Sequence, residues 1–222
     1  MSFIEECTGA CDWDNLILSR FQEFVPENSI VVDIGANHGI FSFGINEKMK
    51  IKEIYAIEPD LENFNILKSK TSHDSNIKLI NVAISDKNGK VDIYEGNGDH
   101  ATRNILGNDS LNTNFTIKHI KRGTVDCATL DFIFLEKLKI QPNACKIDTE
   151  GAETLVLIGA KKLIEKMDCL FVEIHNETTY REVIEMCFEN KWEVRCLKNL
   201  HKITTLDELD YCYQIIIHPQ GL

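Results

Sequence analysis

The stretch Ile30–Phe43, IVVDIGANHGIFSF, constrains what this chain can fold into more than any other. Ile30, Val31 and Val32 make the apolar run of a parallel strand covered on both faces. Asp33 stands at its carboxyl end, where open α/β sheets bind their ligands. Gly35 and Gly39 accept backbone angles that a Cβ resists, and they let a ligand approach the main chain. Ile40, Phe41, Phe43, Gly44, Ile45 and Met49 continue as a packed helix whose first N–H groups face the turn. The spacing is D-x-G-x-x-x-G, without the full G-x-G-x-x-G of a pyrophosphate cradle. That favours a nucleoside ligand lacking a diphosphate, and S-adenosylmethionine leads that class.

A second acid fits the same ligand. Glu53–Ile57, EIYAI, reads as the next strand and runs into Glu58-Pro59-Asp60. An acid at the tip of a second strand, about 20 residues beyond the glycine turn, is placed to accept hydrogen bonds from ribose hydroxyls. Pro59 ends the strand, and Asp60 caps a helix over Leu61–Ser72 that carries Leu61, Phe64 and Leu67 on one face.

Before and after this nucleus, apolar periodicity sets the order of elements. Asp14–Phe24 predicts a helix with Ile17, Phe21 and Phe24 on one face, lying against the sheet edge. The spans 30–33, 53–57 and 77–84 read as strands, separated by helices over 39–49 and 60–72. Such alternation predicts a parallel sheet with right-handed crossovers. Asp86-Lys87-Asn88-Gly89 is a turn signal leading to a short hairpin strand at Val91–Tyr94. Residues 95–123 are polar and irregular, long enough to predict a substrate lid in which His100, Arg103, Asn104 and Ser110 meet the acceptor.

The second half repeats the alternation. Thr129–Leu138 reads as a helix with Asp131 favouring its N-terminus, 144–148 as the fourth strand, and 151–166 as a helix with Leu155, Ile158 and Leu163 inward. Residues 169–175 form the fifth strand and 179–189 the next helix, with Trp192–Leu197 and Tyr211–Ile217 as a terminal pair. The expectation is one domain over residues 1–222, with 1–28 as an N-terminal helical extension.

With Asn81-Val82-Ala83-Ile84-Ser85-Asp86, Thr129-Leu130-Asp131, Lys146-Ile147-Asp148-Thr149-Glu150-Gly151-Ala152-Glu153 and Val172-Glu173-Ile174-His175, the phrase VVDIGANHGIFS resembles the FkbM-type methyltransferases. That family belongs to the class I, S-adenosylmethionine-dependent enzymes, and the likeness runs from about Ser29 to His175. The resemblance implies an α/β, Rossmann-like fold with a seven-stranded, mostly parallel sheet and helices on both faces. Its last strand, here Gln214–Ile217, inserts antiparallel. The reaction implied is O-methylation of a hydroxyl on a sugar, polyketide or similar small metabolite. Carried onto this chain, the cofactor residues are Asp33, Gly35, Ala36, Asn37, Gly39, Glu58, Pro59, Asp60, Ala83 and Asp148.

Methyl transfer from a sulfonium is an in-line displacement, so the protein orients the acceptor and helps remove its proton. Asp148, Glu173 and His175 are the catalytic candidates, at the tips of the fourth and fifth strands. Glu173 and His175 alternate onto one face, and histidine has the unperturbed pKa of a base near neutrality. Asp148, Glu150, Glu173 and His175 together also suit a divalent metal, but the spacing does not establish that they converge, and no metal is expected.

Composition narrows the partners. The chain has 222 residues, with 24 Lys+Arg against 35 Asp+Glu and a formal charge of −11. That field repels phosphate backbones, so a small-molecule or glycan hydroxyl is expected as acceptor and nucleic acid is not. The short basic run Lys118–Arg122 reads as a solvated loop. No apolar run approaches the roughly 20 residues of a membrane span, and the N-terminus lacks a signal-peptide pattern, so a cytoplasmic location is expected. Cys145, Cys169, Cys187, Cys196 and Cys212 read as small core side chains. Cys7 and Cys11 are spaced like half a metal site without a second pair to answer them. Two other functions compete with the transferase. One is an NAD-dependent oxidoreductase, which the incomplete glycine fingerprint disfavours; the other is a nucleoside-binding module without catalysis.

Overall fold

The computed structural model describes residues 12–71, 74–96, 103–105, 119–206, 208 and 214–221. Chain order begins α1 (Asp12–Phe24), β1 (Ile30–Ile34), α2 (Ile40–Lys48), β2 (Glu53–Ile57), α3 (Leu61–Lys70) and β3 (Ile77–Ile80). Four further strands follow, β4 (Ala83–Ile84), β5 (Gly89–Gly96), β6 (Arg103–Asn104) and β7 (His119–Ala128), then a helix over Asp131–Leu138 wound with π spacing. The chain closes with β8 (Ala144–Ile147), α4 (Glu153–Gly159), α5 (Lys161–Ile164), β9 (Cys169–Glu173), α6 (Glu177–Glu189), β10 (Glu193–Cys196) and β11 (Gln214–His218).

Seven strands form one sheet in the order β10-β11-β9-β8-β1-β2-β3. Neighbours from β9 to β3 pair in parallel. β11 is antiparallel to both β9 and β10, as expected of the inserted last strand. This is the α/β, class I methyltransferase arrangement. Its parallel strands need crossovers, which the helices supply on both faces.

Alternation along each strand divides the core in two. Val32, Ile34, Tyr55, Ile57, Ile147 and Val172 face Phe134, Val156, Leu157, Leu163, Tyr180 and Val183. Val31, Ile54, Ala56, Phe171 and Ile216 face Phe21, Phe41, Phe43, Ile45 and Leu67. Each Val, Leu, Ile or Phe among them contributes about 1.5–3 kcal/mol when fully buried. Phe21 stacks 4.7 Å from Phe171 and 5.1 Å from Phe41. Helix α1 therefore lies on a sheet face and not against the edge, because Phe21 packs on Phe171 of β9, an interior strand of the sheet.

Other boundaries differ from expectation for local reasons. The expected strand 77–84 breaks at Asn81, whose side-chain amide donates to Glu58 O (2.8 Å) and Pro59 O (3.0 Å). Beyond that break, β4 joins a second sheet in the order β4-β7-β5-β6. The hairpin strand is eight residues long and pairs antiparallel with β7. The described part of the basic run, residues 119–122, is consequently strand and not loop; Lys121 pairs with Asp92 at 2.7 Å and Arg122 with Glu95. Of the expected lid, residues 97–102 and 106–118 lie outside the described residues, with His100 and Ser110 among them, as do the side chains of Arg103 and Asn104. Cys7, Cys11 and Cys212 also lie outside.

Asp131 stands in the first turn of its own helix, where its charge is favourable, but the cap there is Thr129 Oγ1, accepting from Phe132 N at 3.1 Å. Its carboxylate accepts from Lys162 N (3.1 Å) and Leu163 N (2.9 Å), capping α5 across the fold. The expected helix 151–166 is two helices that meet at Ala160. Helix α6 begins earlier than expected, because Asn176 caps it by accepting from Thr179 N at 2.8 Å.

Candidate active site

At the carboxyl ends of β1, β2 and β8 a cavity of about 220 Å³ opens. Its lining includes Gly35 and Asn37 from the glycine turn, Glu58 and Pro59 from the β2 tip, and Asp148, Thr149 and Glu150 from the β8 tip. Ala83 and Ile84 of β4, Ile93 of β5 and Ile105 wall it from the second sheet. The chain therefore supplies one polar rim from the large sheet and one apolar wall from the small one.

The turn is built by the sheet edge. Gly35 N and Ala36 N both donate to Ile57 O at 3.0 Å. Gly35 has φ +77, and a Cβ there would lie 1.8 Å from Asp148 O, so the turn and the β8 tip pack backbone to backbone. Gly39, φ +88, serves a different neighbour, since a Cβ there would meet Leu67 and Phe43 at 2.6 Å. Gly39 and Ala36 do not line the cavity; they pack behind the turn. Asn37 holds a left-handed φ of 49, which asparagine tolerates better than most residues. Its N–H donates to Glu58 Oε2 at 2.9 Å, and its own Oδ1 is buried with no hydrogen-bond partner.

Glu58 is buried, and Asp60 N donates to its Oε1 at 2.9 Å. Burial pushes its carboxyl up to about 7, although these two backbone donors favour the ionised form. Each oxygen keeps a further lone pair for a ligand hydroxyl. Asp60 stands outside the lining and caps α3, accepting from Glu62 N and Asn63 N at 3.0 Å.

Behind the rim runs a charged chain whose central cation the sequence reading did not single out. Asp33 is fully buried and accepts from Ser42 Oγ at 2.6 Å. Burial raises its carboxyl, against Lys146 and Ser42. Lys146 Nζ lies 3.7 Å from Asp33 Oδ1 and 2.9 Å from Asp148 Oδ2. Burial disfavours the Lys146 charge, but Asp148 and Asp33 outweigh it and raise its pKa. Burial also works against the Asp148 charge; Lys146 and His175 overcome it and hold that carboxyl below its usual range. The signal for Lys146 was present in Ala144–Ile147, ACKI: a lysine inside a four-residue strand that is buried at every position.

Glu153, fully buried, organises the β8 tip. Its Oε1 accepts from Thr149 N (3.2 Å), Thr149 Oγ1 (3.2 Å) and Gly151 N (3.0 Å), and it meets His175 Nδ1 at 3.0 Å. This fixes the turn in which Glu150 takes a left-handed φ of 54. His175 follows the end of β9, and its Nε2 lies 3.4 Å from Asp148 Oδ1 and 3.6 Å from Glu150 Oε2. Burial lowers the imidazole, but the bond to Glu153 and the charges of Glu153, Glu150 and Asp148 raise it to about 10. A histidine held protonated is no proton acceptor near neutrality, contrary to the expectation from its unperturbed value. Burial raises Glu150 to about 7. Asp148, Glu150 and His175 thus converge, while Glu173 joins neither that cluster nor the cavity lining.

The Methyltransferase FkbM domain model matches residues 33–211. A 2-O-methyltransferase, NoeI of Sinorhizobium fredii (strain NBRC 101917 / NGR234), is 23% identical over 158 residues. That match covers 68% of this chain and 65% of the relative, so the chain spans about two thirds of that protein's length. Among solved structures, Streptococcus pneumoniae Sp1610, a putative tRNA (m1A22) methyltransferase in complex with S-adenosyl-L-methionine, superposes with a TM-score of 0.53 at 11% identity. The superposition covers 93% of this chain and 73% of that one. Precorrin-6y C5,15-methyltransferase from Geobacter metallireducens GS-15 gives 0.51 at 9% identity, covering 93% and 85%. These structural likenesses speak for the fold; the domain match, spanning both the glycine turn and the β8 tip, shows that the chain belongs to the FkbM family of methyltransferases, with S-adenosylmethionine as its cofactor.

Proposed function

We propose that this methyltransferase O-methylates a hydroxyl of a sugar, polyketide or other small metabolite. The observation that carries the reading is the cavity rim: Glu58, Asp148 and Glu150 line it, and no lysine or arginine does among the described residues. An acidic rim repels a phosphodiester and accepts hydrogen bonds from hydroxyls. The relative named as a 2-O-methyltransferase supports oxygen as the acceptor atom.

In this reading the residues divide the cofactor between them. Glu58 accepts from the ribose hydroxyls, and the unpartnered Asn37 Oδ1 accepts from a cofactor N–H. Gly35, Pro59 and Ala83 leave room for the nucleoside. Asp33, Ala36, Gly39 and Asp60 shape the turn and the β2 tip from behind. Asp148 and Glu150 face the acceptor. The hydroxyl proton passes to a carboxylate as the oxygen–methyl bond forms and the methyl–sulfur bond breaks, leaving a neutral thioether. His175, held protonated, orients the two carboxylates, and Glu173 adds negative charge near Lys146 and Glu150.

The test is methyl transfer from isotopically labelled S-adenosylmethionine into sugar, glycan and polyketide pools, with the modified atom located by NMR. Methyl on oxygen supports the proposal. Methyl exclusively on nitrogen or carbon, or transfer only to RNA, overturns it.

A further inference from the structure

We infer that Asp148, Glu150 and His175 form a site for one divalent cation of the Mg²⁺/Mn²⁺ class, at the edge of the cavity. The ligand atoms converge: Asp148 Oδ1 and Glu150 Oε2 stand 3.4 and 3.6 Å from His175 Nε2, and the donor atoms of all three residues lie within 4.8 Å of one another. A six-coordinate ion with bonds of about 2.1 Å needs adjacent ligand atoms about 3.0 Å apart. A contraction of a few tenths of an ångström closes that difference for the two contacts to His175 Nε2, and the two carboxylates, within 4.8 Å of each other, can take adjacent or opposite positions. One imidazole with two carboxylates suits magnesium, manganese or iron more than a soft ion.

Two observations outside the three ligands point the same way. Glu153 holds His175 by Nδ1 at 3.0 Å, which leaves Nε2 as the nitrogen turned toward the carboxylates. A carboxylate on the far nitrogen of a histidine is the usual support for a metal-bound imidazole. Glu153 is also fully buried, and its second oxygen, Oε2, has no hydrogen-bond partner. Binding through Nε2 displaces the His175 proton; Asp33, Asp148, Glu150 and Glu153 then bring four carboxylates together with Lys146 as the cation among them, an excess of negative charge that the metal ion offsets.

Three protein ligands leave coordination positions for water or for acceptor oxygens in the adjoining cavity. This deepens the O-methyltransferase reading, on which its catalytic part rests. A coordinated hydroxyl would be acidified by the ion; with the ion bound, Asp148 and Glu150 serve as its ligands, and the hydroxyl proton passes to solvent in place of the carboxylate that takes it without the ion. Metal binding itself requires no acceptor and no cofactor, so it can fail or succeed independently of that reading.

The probe is Mn²⁺ titrated into the full chain, followed by the loss of the free-ion electron paramagnetic resonance signal and by calorimetry. One ion per chain is expected, displaced by excess Mg²⁺. Glu150→Gln and His175→Gln should each weaken Mn²⁺ at least about tenfold, and Glu153→Gln by about 10–100-fold. Glu150→Gln is the decisive variant if His175→Gln does not fold, because it removes no backbone hydrogen bond. S-adenosylhomocysteine affinity measured alongside checks the transferase reading separately. Mn²⁺ left free at millimolar concentration, or bound equally by the parent and Glu150→Gln, overturns the site. The first of these outcomes with S-adenosylhomocysteine still binding would assign the excess negative charge to the cofactor's own cationic groups.

Discussion

Replacing Glu58 by glutamine probes the cofactor site and the cost of burying its charge together. The carboxyl titrates at about 7 in the fold against 4.5 in an open chain, with burial as the main cause. A raised acid pKa means the fold retains the proton. Below pH 4.5 both folded and unfolded chains are protonated, and no penalty applies. Between 4.5 and 7 the unfolded chain ionises first and stability falls; above 7 the penalty is complete, about 3 kcal/mol in order of magnitude. Glu58→Gln abolishes that pH-dependent share. It also loses an acceptor for Asn37 N or Asp60 N, but that cost is the same at every pH. Urea denaturation at pH 5 and pH 8 should therefore show a difference in stability between the two pH values smaller by about 2.5 kcal/mol in the variant, since part of the penalty is already present at pH 5.

Ribose hydroxyls donating to Glu58 favour its ionised form, so cofactor binding should expel the proton. With the contact worth about 1.5–3 kcal/mol, calorimetry in buffers of different ionisation enthalpy should find roughly 0.4–0.8 proton released from this group at pH 6, 0.4–0.5 at pH 7 and 0.1 at pH 8. Glu150 also titrates at about 7, so the Glu58 share is the part missing from Glu58→Gln. Affinity in the variant at pH 8 should fall by about 1.5–3 kcal/mol. Equal proton release and equal affinity in parent and variant would refute the ribose contact.

Three more predictions come from the same geometry. Gly35→Ala places a Cβ 1.8 Å from Asp148 O at φ +77, so β1 and β8 must separate; a loss above about 3 kcal/mol is expected, and a melting temperature within a few degrees of the parent would contradict it. Lys146→Met leaves Asp33 and Asp148 as buried carboxylates without their cation and should cost about 3–5 kcal/mol. Asp148→Asn should destabilise less, since Asp33 still faces Lys146 at 3.7 Å; identical melting curves for parent and both variants would mean the chain of charges contributes nothing. Asp131→Ala removes two N–H acceptors at α5 and should cost about 1 kcal/mol, read by urea denaturation; an unchanged midpoint would mean water replaces the cap.

The sequence alone determined the parts that depend on local pattern. Val31, Val32, Ile54 and Ile57 fall on buried strands because apolar runs between turn signals have few other folded outcomes. The glycine turn, Glu58 at the β2 tip and Asp148 at the β8 tip were legible because strand ends in a parallel sheet all point to one edge. The antiparallel place of Gln214–His218 came from family resemblance and not from any pattern in those five residues. What only the tertiary structure decided is how groups far apart in the chain share that edge. Lys146 becomes the bridge between Asp33 and Asp148 because three carboxyl-end positions meet behind one cavity. Glu153 becomes the support for His175, 22 residues away. His175 changes from an expected base to a held cation, since its protonation depends on three carboxylates brought beside it by other segments. Ionisation is set by burial and neighbouring charge, and neither is written in a residue's own sequence context.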